Sequence, residues 1–236
     1  MIVIRSIIFN ILFFSVGSVI MLLAIPILLF KKDRIFDFWK LFSKITAFIS
    51  EKIGGIGYII ENEQNILSEP AIYAVRHESV WETLVLIYMF KEPIFVLKKE
   101  LLKVPLFGIL SKMAGSIEVD RDSGTKSLVD VAKRIEKTIS DGHPVIIFPE
   151  GTRVPTGEHM EIKRGIAFFY SKSNCAVVPV VHNSGKFWPR RGFLKIPGNI
   201  TVKFLDPIPP GLSRDEFMNR LNDVFYSEIE CLKAST

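Results

Sequence analysis

The chain opens on an uninterrupted apolar stretch, with no charged residue from Ser6 to Phe30 in a region dominated by IIFNILFFSVGSVIMLLAIPILLF. As a helix rising about 1.5 Å per residue, it is long enough to cross a bilayer core of about 30 Å. A cleaved signal peptide fits poorly, because the run is too long and no A-x-A-like site follows it. A buried core helix is the other soluble reading, and a membrane helix suits the pattern best. Asn10, Ser15, Ser18 and Pro26 are compatible with shallow insertion as well as with a full span. The periodicity then changes. Over 35–53, Ile35, Phe38, Trp39, Phe42, Ile45, Ile49 and Ile53 recur at helical spacing, with Asp37, Lys40, Ser43, Lys44 and Glu51 off the stripe. Such a helix lies in a membrane interface or packs on its own domain, and the pattern leaves both open. Gly54, Gly55 and Gly57 end it.

From there strand-like and helix-like stretches alternate. The pattern predicts strands over 57–61, 71–75, 94–98, 116–120, 144–148, 176–181 and 200–205. It predicts helices over 79–90, 104–113, 125–140, 163–172 and 214–232, the last opened by a Ser213-x-x-Glu216 capping box. Alternation of this kind predicts an α/β domain over 54–236, with a mixed, mostly parallel sheet flanked by helices. Residues 1–53 form its N-terminal membrane-associated helical segment. Residues 186–198 (KFWPRRGFLKIPG) are basic and aromatic, which suits contact with headgroups or a solvated connecting loop.

Composition sharpens the membrane reading. Hydrophobic residues make up 48% of the chain, the formal net charge is +5 and the pI is near 9.1, as suits a surface against anionic lipid. Nucleic acid is excluded as a partner by the lack of zinc spacing, RNA-binding aromatic signature or dense basic run. Only Arg5 precedes the apolar run, whereas Lys31, Lys32 and Arg34 follow it. The positive-inside bias therefore predicts an inner-membrane protein with its domain on the cytoplasmic side. Two cysteines, Cys175 and Cys231, form no disulfide framework and fit a reducing compartment.

Candidate chemistry begins in AIYAVRHESVWETL, a buried strand that turns into a helix. His77 and Glu82 are five positions apart, which on one regular helix is roughly 140° of rotation, so their side chains would not meet. A His–carboxylate pair therefore requires His77 on the turn before the helix, with Ser79 as the cap. There a neutral imidazole can take a proton from a hydroxyl, and a carboxylate on its other nitrogen fixes the tautomer. The competing reading makes Ser79-x-x-Glu82 a capping box alone. Glu78 adds a charge directly after His77. The second segment is PVIIFPEGTR, residues 144–153. Its apolar strand ends in Glu150, Gly151, Thr152 and Arg153, at the end of a sheet strand, where α/β folds bind ligands. Gly151 permits close backbone approach, Thr152 offers a hydroxyl, and Arg153 offers a fork suited to phosphate. The charge of Glu150 would repel a phosphate and better suits orienting a cation or the loop. His143, His159 and His182 show no metal-ligand spacing, so neither metal nor cofactor is expected.

Over about residues 70–182 the chain resembles the glycerolipid acyltransferase family, in its 1-acyl-glycerol-3-phosphate branch. Four blocks carry the resemblance: RHESVWET, LKKELLKVPLFG (97–108) leading to GSIEVDR, FPEGTR, and VVPVVHNS. The resemblance implies acyl transfer from acyl-CoA or acyl-carrier protein to the sn-2 hydroxyl of lysophosphatidic acid, beside membrane lipids. It makes His77 the general base and Glu82 its partner. It assigns the acceptor phosphate to Glu150, Gly151, Thr152 and Arg153, with Lys98 and Arg121. Glu82 departs from the family pattern, which more often has Asp there. Ser79 is better explained as the helix cap than as a nucleophile. The alternatives are another lysophospholipid acceptor, an acyl hydrolase, or a non-catalytic lipid-binding membrane protein.

Overall fold

A computed structural model describes residues 1–120 and 124–234. Among them a seven-stranded sheet runs in the order β1-β7-β6-β2-β5-β3-β4. The strands are β1 (Ile56–Glu61), β2 (Ile72–Val75), β3 (Ile94–Lys98), β4 (Ile117–Val119), β5 (Val145–Ile147), β6 (Val177–His182) and β7 (Gly198–Phe204). Only β6 and β7 pair antiparallel; every other pairing is parallel. The central strands β2, β5 and β6 are buried at every residue. They read as continuous apolar runs because helices cover both sheet faces. Pro179 is tolerated in mid-strand because its side of β6 faces an interruption in the pairing with the β7 chain. Val177 bonds with Ile208, and the Leu205 N–H reaches the Pro179 carbonyl at 2.8 Å. The missing proline donor falls in that gap.

The helices are α1 (Ile2–Phe30), α2 (Ile35–Lys52), α3 (Trp81–Val85), α4 (Phe107–Met113), α5 (Gly124–Ser140), α6 (Gly165–Ser173), α7 (Ser184–Phe187) and α8 (Arg214–Ala234). One core lies between the sheet and α2, α3 and α4, the other between the sheet and α5, α6 and α8. The Ser213–Glu216 capping box forms, with Glu216 N–H on Ser213 Oγ at 3.2 Å and Ser213 N–H on Glu216 Oε2 at 2.9 Å. The helix expected over 79–90 is shorter. It is α-helical over Trp81–Val85 and tightens to a 3₁₀ turn over Leu86–Met89. Ser43 of α2 donates to the Val85 carbonyl at 3.1 Å, diverting that acceptor from the α-helical ladder. In the basic stretch 186–198, read from sequence without regular structure, α7 runs into the first residues.

The apolar stripe of α2 packs on the domain: Ile35, Phe38, Trp39, Phe42 and Ile49 are buried, and Trp39 meets Phe107 of α4 edge-on. Helix α1 folds back antiparallel along α2, with Gly17 beside the Phe42 ring and Phe9 beside Gly54. It buries Ser6, Phe9, Ala24 and Leu28, while Ile11, Phe14, Leu22, Leu23 and Ile27 stay exposed. Its 29-residue length and a mean hydropathy of 2.6 over its most apolar 18 residues make it long and apolar enough to cross a membrane.

Gly108 at the start of α4 is fixed by close approach, since a Cβ there would lie 2.2 Å from the Leu102 carbonyl oxygen. Gly108→Ala is expected to destabilise the fold by about 1–3 kcal/mol, read as a lower thermal unfolding midpoint of the purified protein. An unchanged midpoint would show that this contact relaxes at no cost.

Candidate active site

The parallel strands β2, β3 and β5 end on one edge of the sheet, and the chain leaving each of them carries polar residues. After β2 the backbone does not enter a helix until Trp81, so His77 stands on the preceding turn. Its ring stacks on Phe148 with centroids 4.1 Å apart, and its side chain is 18% exposed, enough to meet a ligand. His77 Nδ1 lies 2.9 Å from Glu82 Oε1. The same oxygen accepts the Glu78 N–H at 2.9 Å and the Ser79 N–H at 2.8 Å. Ser79 Oγ in turn accepts the Trp81 N–H at 3.0 Å. The capping and catalytic readings of Glu82 are thus one geometry: the cap orients the carboxylate that the imidazole needs.

Glu82 is fully buried. Burial alone would raise its pKa, but His182, the bond from His77 and the Ser79 N–H together lower it to about 2. An ionised carboxylate only accepts, so Nδ1 carries the proton and Nε2 is left as the basic nitrogen. Glu82 Oε2 takes a bond from Ser184 Oγ at 2.8 Å, a contact the sequence reading missed. Ser184 is itself set by His182, whose Nδ1 lies 3.3 Å from the Ser184 N–H and whose Nε2 lies 2.6 Å from the Arg76 carbonyl.

The 149–158 loop is clamped onto this turn. The Val154 N–H donates to the His77 carbonyl at 2.7 Å, and the His77 N–H reaches Glu150 Oε1 at 3.4 Å. Beneath them lies Arg76, fully buried, with Nε 3.3 Å from Glu78 Oε1 and Nη1 3.3 Å from Glu150 Oε1. Its Nη2 donates to the Pro155 carbonyl at 3.3 Å and the Glu158 carbonyl at 2.6 Å. Glu78 therefore faces inward, its Oε2 accepting from Thr156 Oγ1 at 2.7 Å and from the Gly185 N–H at 3.0 Å. Glu150, grouped from sequence with the phosphate-holding residues, likewise points to Arg76. Burial pushes its pKa up to about 8 against the pull of Arg76, and Glu78 adds to the rise.

Three of the remaining candidates lie on the 149–158 loop. Gly151 has φ +71°, a conformation open to glycine. Thr152 is half-buried. Arg153 is half-buried as well, and its pKa is lowered by burial and by Arg190 and Arg191, with Glu82 acting the other way. Arg190 Nη1 donates to the Arg153 carbonyl at 3.0 Å. Lys98, at the end of β3, shares the rim of a cavity with Pro149, Gly151 and Lys163. Arg121 lies outside the described residues. A second, largely apolar cavity opens on the His77 face of the sheet, lined by Trp39, Leu84, Phe95, Leu97 and Phe107.

An imidazole held by an ionised carboxylate, on a strand-end turn beside an arginine loop, has the chemistry of a general base next to a cation suited to an anionic group. Residues 58–183 match the model of the Acyltransferase family, and the chain belongs to that family. It is 35% identical over 159 residues to the 1-acyl-sn-glycerol-3-phosphate acyltransferase of Pseudomonas aeruginosa, covering 67% of this chain and 62% of that protein. It is 31% identical over 174 residues to the chloroplastic 1-acyl-sn-glycerol-3-phosphate acyltransferase LPAT1 of Arabidopsis thaliana, covering 72% and 47%. The match thus spans less than two thirds of the length of these relatives. The fold is that of the crystal structure of the 1-acyl-sn-glycerophosphate acyltransferase PlsC from Thermotoga maritima, with a TM-score of 0.82 at 20% identity, covering 99% of this chain and 98% of that one.

The Glu150 carboxyl holds its proton to about pH 8 when folded, against an ordinary value of 4.5. Between those values the folded state binds more protons than the unfolded one, so stability falls as pH rises through that window. Glu150→Gln is expected to flatten this slope, measured as unfolding midpoints from pH 5 to pH 9. A slope equal to wild type would remove Glu150 as its source.

Proposed function

We propose that the chain transfers a fatty acyl group from acyl-CoA or acyl-carrier protein to the sn-2 hydroxyl of 1-acyl-glycerol-3-phosphate, giving phosphatidic acid. The observation that carries this reading is the 2.9 Å contact between His77 Nδ1 and the buried Glu82 carboxylate. It leaves Nε2 basic at a partly open position beside the Arg153 loop. The acceptor hydroxyl gives its proton to His77 Nε2 as its oxygen bonds to the thioester carbonyl carbon. The tetrahedral adduct collapses by breaking the C–S bond. The imidazolium returns the proton to the leaving thiolate, and an ester and a free thiol result. Glu82 stabilises the transient imidazolium, and Ser184 holds Glu82 in register.

Arg153, Gly151, Thr152 and Lys98 bind the acceptor phosphate, with Arg121 as a further cation. Glu150 serves that site through Arg76, which holds the 149–158 loop in place. The apolar cavity lined by Phe95 and Leu97 takes the donor's acyl chain. Phe148 lies next to both His77 and Phe95, its ring 4.1 Å from that of His77 and 6.3 Å from that of Phe95.

The protein acts at the cytoplasmic face of the inner membrane, with α1 lying within one leaflet. The fold of α1 back along α2, with contacts at Gly17–Phe42 and Phe9–Gly54 and an apolar outer face, supports that placement over a span.

His77→Ala is expected to lower kcat by about 10²–10⁴-fold with lysophosphatidic acid and acyl-CoA; near wild-type turnover would remove the mechanism. Arg153→Ala should act mainly on the acceptor, raising its KM by the equivalent of about 1.5–3 kcal/mol. A defect confined to the acyl donor would contradict the phosphate assignment. Fatty acid release without an acceptor would identify a hydrolase.

A further inference from the structure

The loop between α7 and β7 is built inside out for a solvated loop. Phe193, Leu194 and Ile196 at its tip are 54%, 40% and 40% exposed, while Lys195 among them is 2% exposed. The Lys195 ammonium donates to the carbonyls of Gly192 at 2.9 Å and Phe193 at 3.2 Å. It lies 5.6 Å and 5.5 Å from the ring centroids of Phe9 and Trp188. A lysine that could reach water would leave three apolar neighbours to pack inward; here the arrangement is reversed.

The tip is also fastened to α1. The Lys195 N–H donates to Ser6 Oγ at 2.9 Å, and Asn10 Nδ2 donates to the Phe193 carbonyl at 3.0 Å. These bonds set the apolar tip beside the exposed N-terminal isoleucines of α1, making one continuous outer surface. At the base of the loop Arg190 and Arg191 are exposed, and Arg190 holds the Arg153 carbonyl.

We propose that residues 190–196 form a second membrane-contact element, in which Phe193, Leu194 and Ile196 enter the same leaflet as α1 while Arg190 and Arg191 lie among anionic headgroups. The inference rests on the leaflet placement of α1. Continuity with that face and the two arginines select an anionic lipid surface as the occupant. Its consequence for the site is direct. Through Arg190 the loop holds the Arg153 segment at headgroup level, where the phosphate of a single-chain lipid already resides.

The test uses the full chain carrying Cys231→Ser, which leaves only the buried Cys175, with one added cysteine bearing an environment-sensitive fluorophore. Three sites are compared in proteoliposomes of equimolar phosphatidylglycerol and phosphatidylcholine: Phe193→Cys on the loop, Leu22→Cys on the outer face of α1, and Lys172→Cys on α6. Labels at 193 and 22 are expected to be quenched by lipids with a nitroxide on the acyl chain and shielded from aqueous iodide. The label at 172 should behave in the opposite way. Iodide quenching at 193 with lipid quenching at 22 would overturn the loop proposal and leave α1 in the leaflet. Iodide quenching at both would overturn the proposal together with the placement of α1. Arg191→Gln should reduce the preference for anionic over neutral vesicles about fivefold; an unchanged preference would remove the headgroup contact.

Discussion

A single buried guanidinium organises the active edge of this molecule. Arg76 touches the carboxyl groups of Glu78 and Glu150 and the carbonyls of Pro155 and Glu158, so segments distant in sequence converge on one charge. Burying a cation is costly unless it is paired and hydrogen-bonded. The loop after β5 therefore cannot move far from the turn after β2 without leaving that charge exposed to an apolar surrounding. His77 follows Arg76 directly, so the restraint on one residue fixes the backbone of the next. Placement of the imidazole relative to Arg153 rests on this clamp together with the Val154 N–H bond to the His77 carbonyl.

The same neighbourhood separates two carboxyl groups by environment. Glu82 meets two backbone N–H groups, a serine hydroxyl and an imidazole, all of which favour its ionised form. Glu150 shares its cation with Glu78 and lies in the same dry setting, which favours the proton. Identical side chains thus take opposite protonation states at neutral pH, as their surroundings dictate. In the proposed mechanism the ionised one stabilises a transient imidazolium, while the protonated one limits negative charge behind the loop assigned to the phosphate.

Most of the fold was legible in the chain because its periodicities are strong. Buried parallel strands read as apolar runs, and their ends fall within a few residues of those expected. The pairing of His77 with Glu82 was legible for a geometric reason: five-residue spacing excludes contact on one helix, so contact demands the turn that is observed. What escaped was long-range. Arg76 and Glu78 flank His77 as ordinary turn charges, and nothing local shows that both point inward; only the 149–158 loop supplies their partners. Ser184 is separated from Glu82 by 102 positions, and its small polar side chain at a strand end carries no distinguishing pattern. Glu150 was ambiguous from charge alone, and the structure turns it to Arg76. The α3 helix stopped short because a serine from α2 captured a carbonyl, again a contact invisible to local propensity.

In the proposed reading, membrane attachment and catalysis are joined by the same loops. A lipid acceptor whose chain stays in the bilayer presents its phosphate near the headgroup plane, so the enzyme gains by meeting it there rather than extracting it. Extraction would expose a long acyl chain to water at about 0.8 kcal/mol for each methylene, a cost no single phosphate contact would offset. In the proposed placement the apolar outer face of α1 sets the depth of the domain, and the loop fastened to it by Ser6 and Asn10 continues to Arg190 and hence to Arg153. If α1 lies in the leaflet as proposed, this chain of hydrogen bonds sets the distance from the bilayer to His77, and a lipid acceptor is met without leaving the membrane.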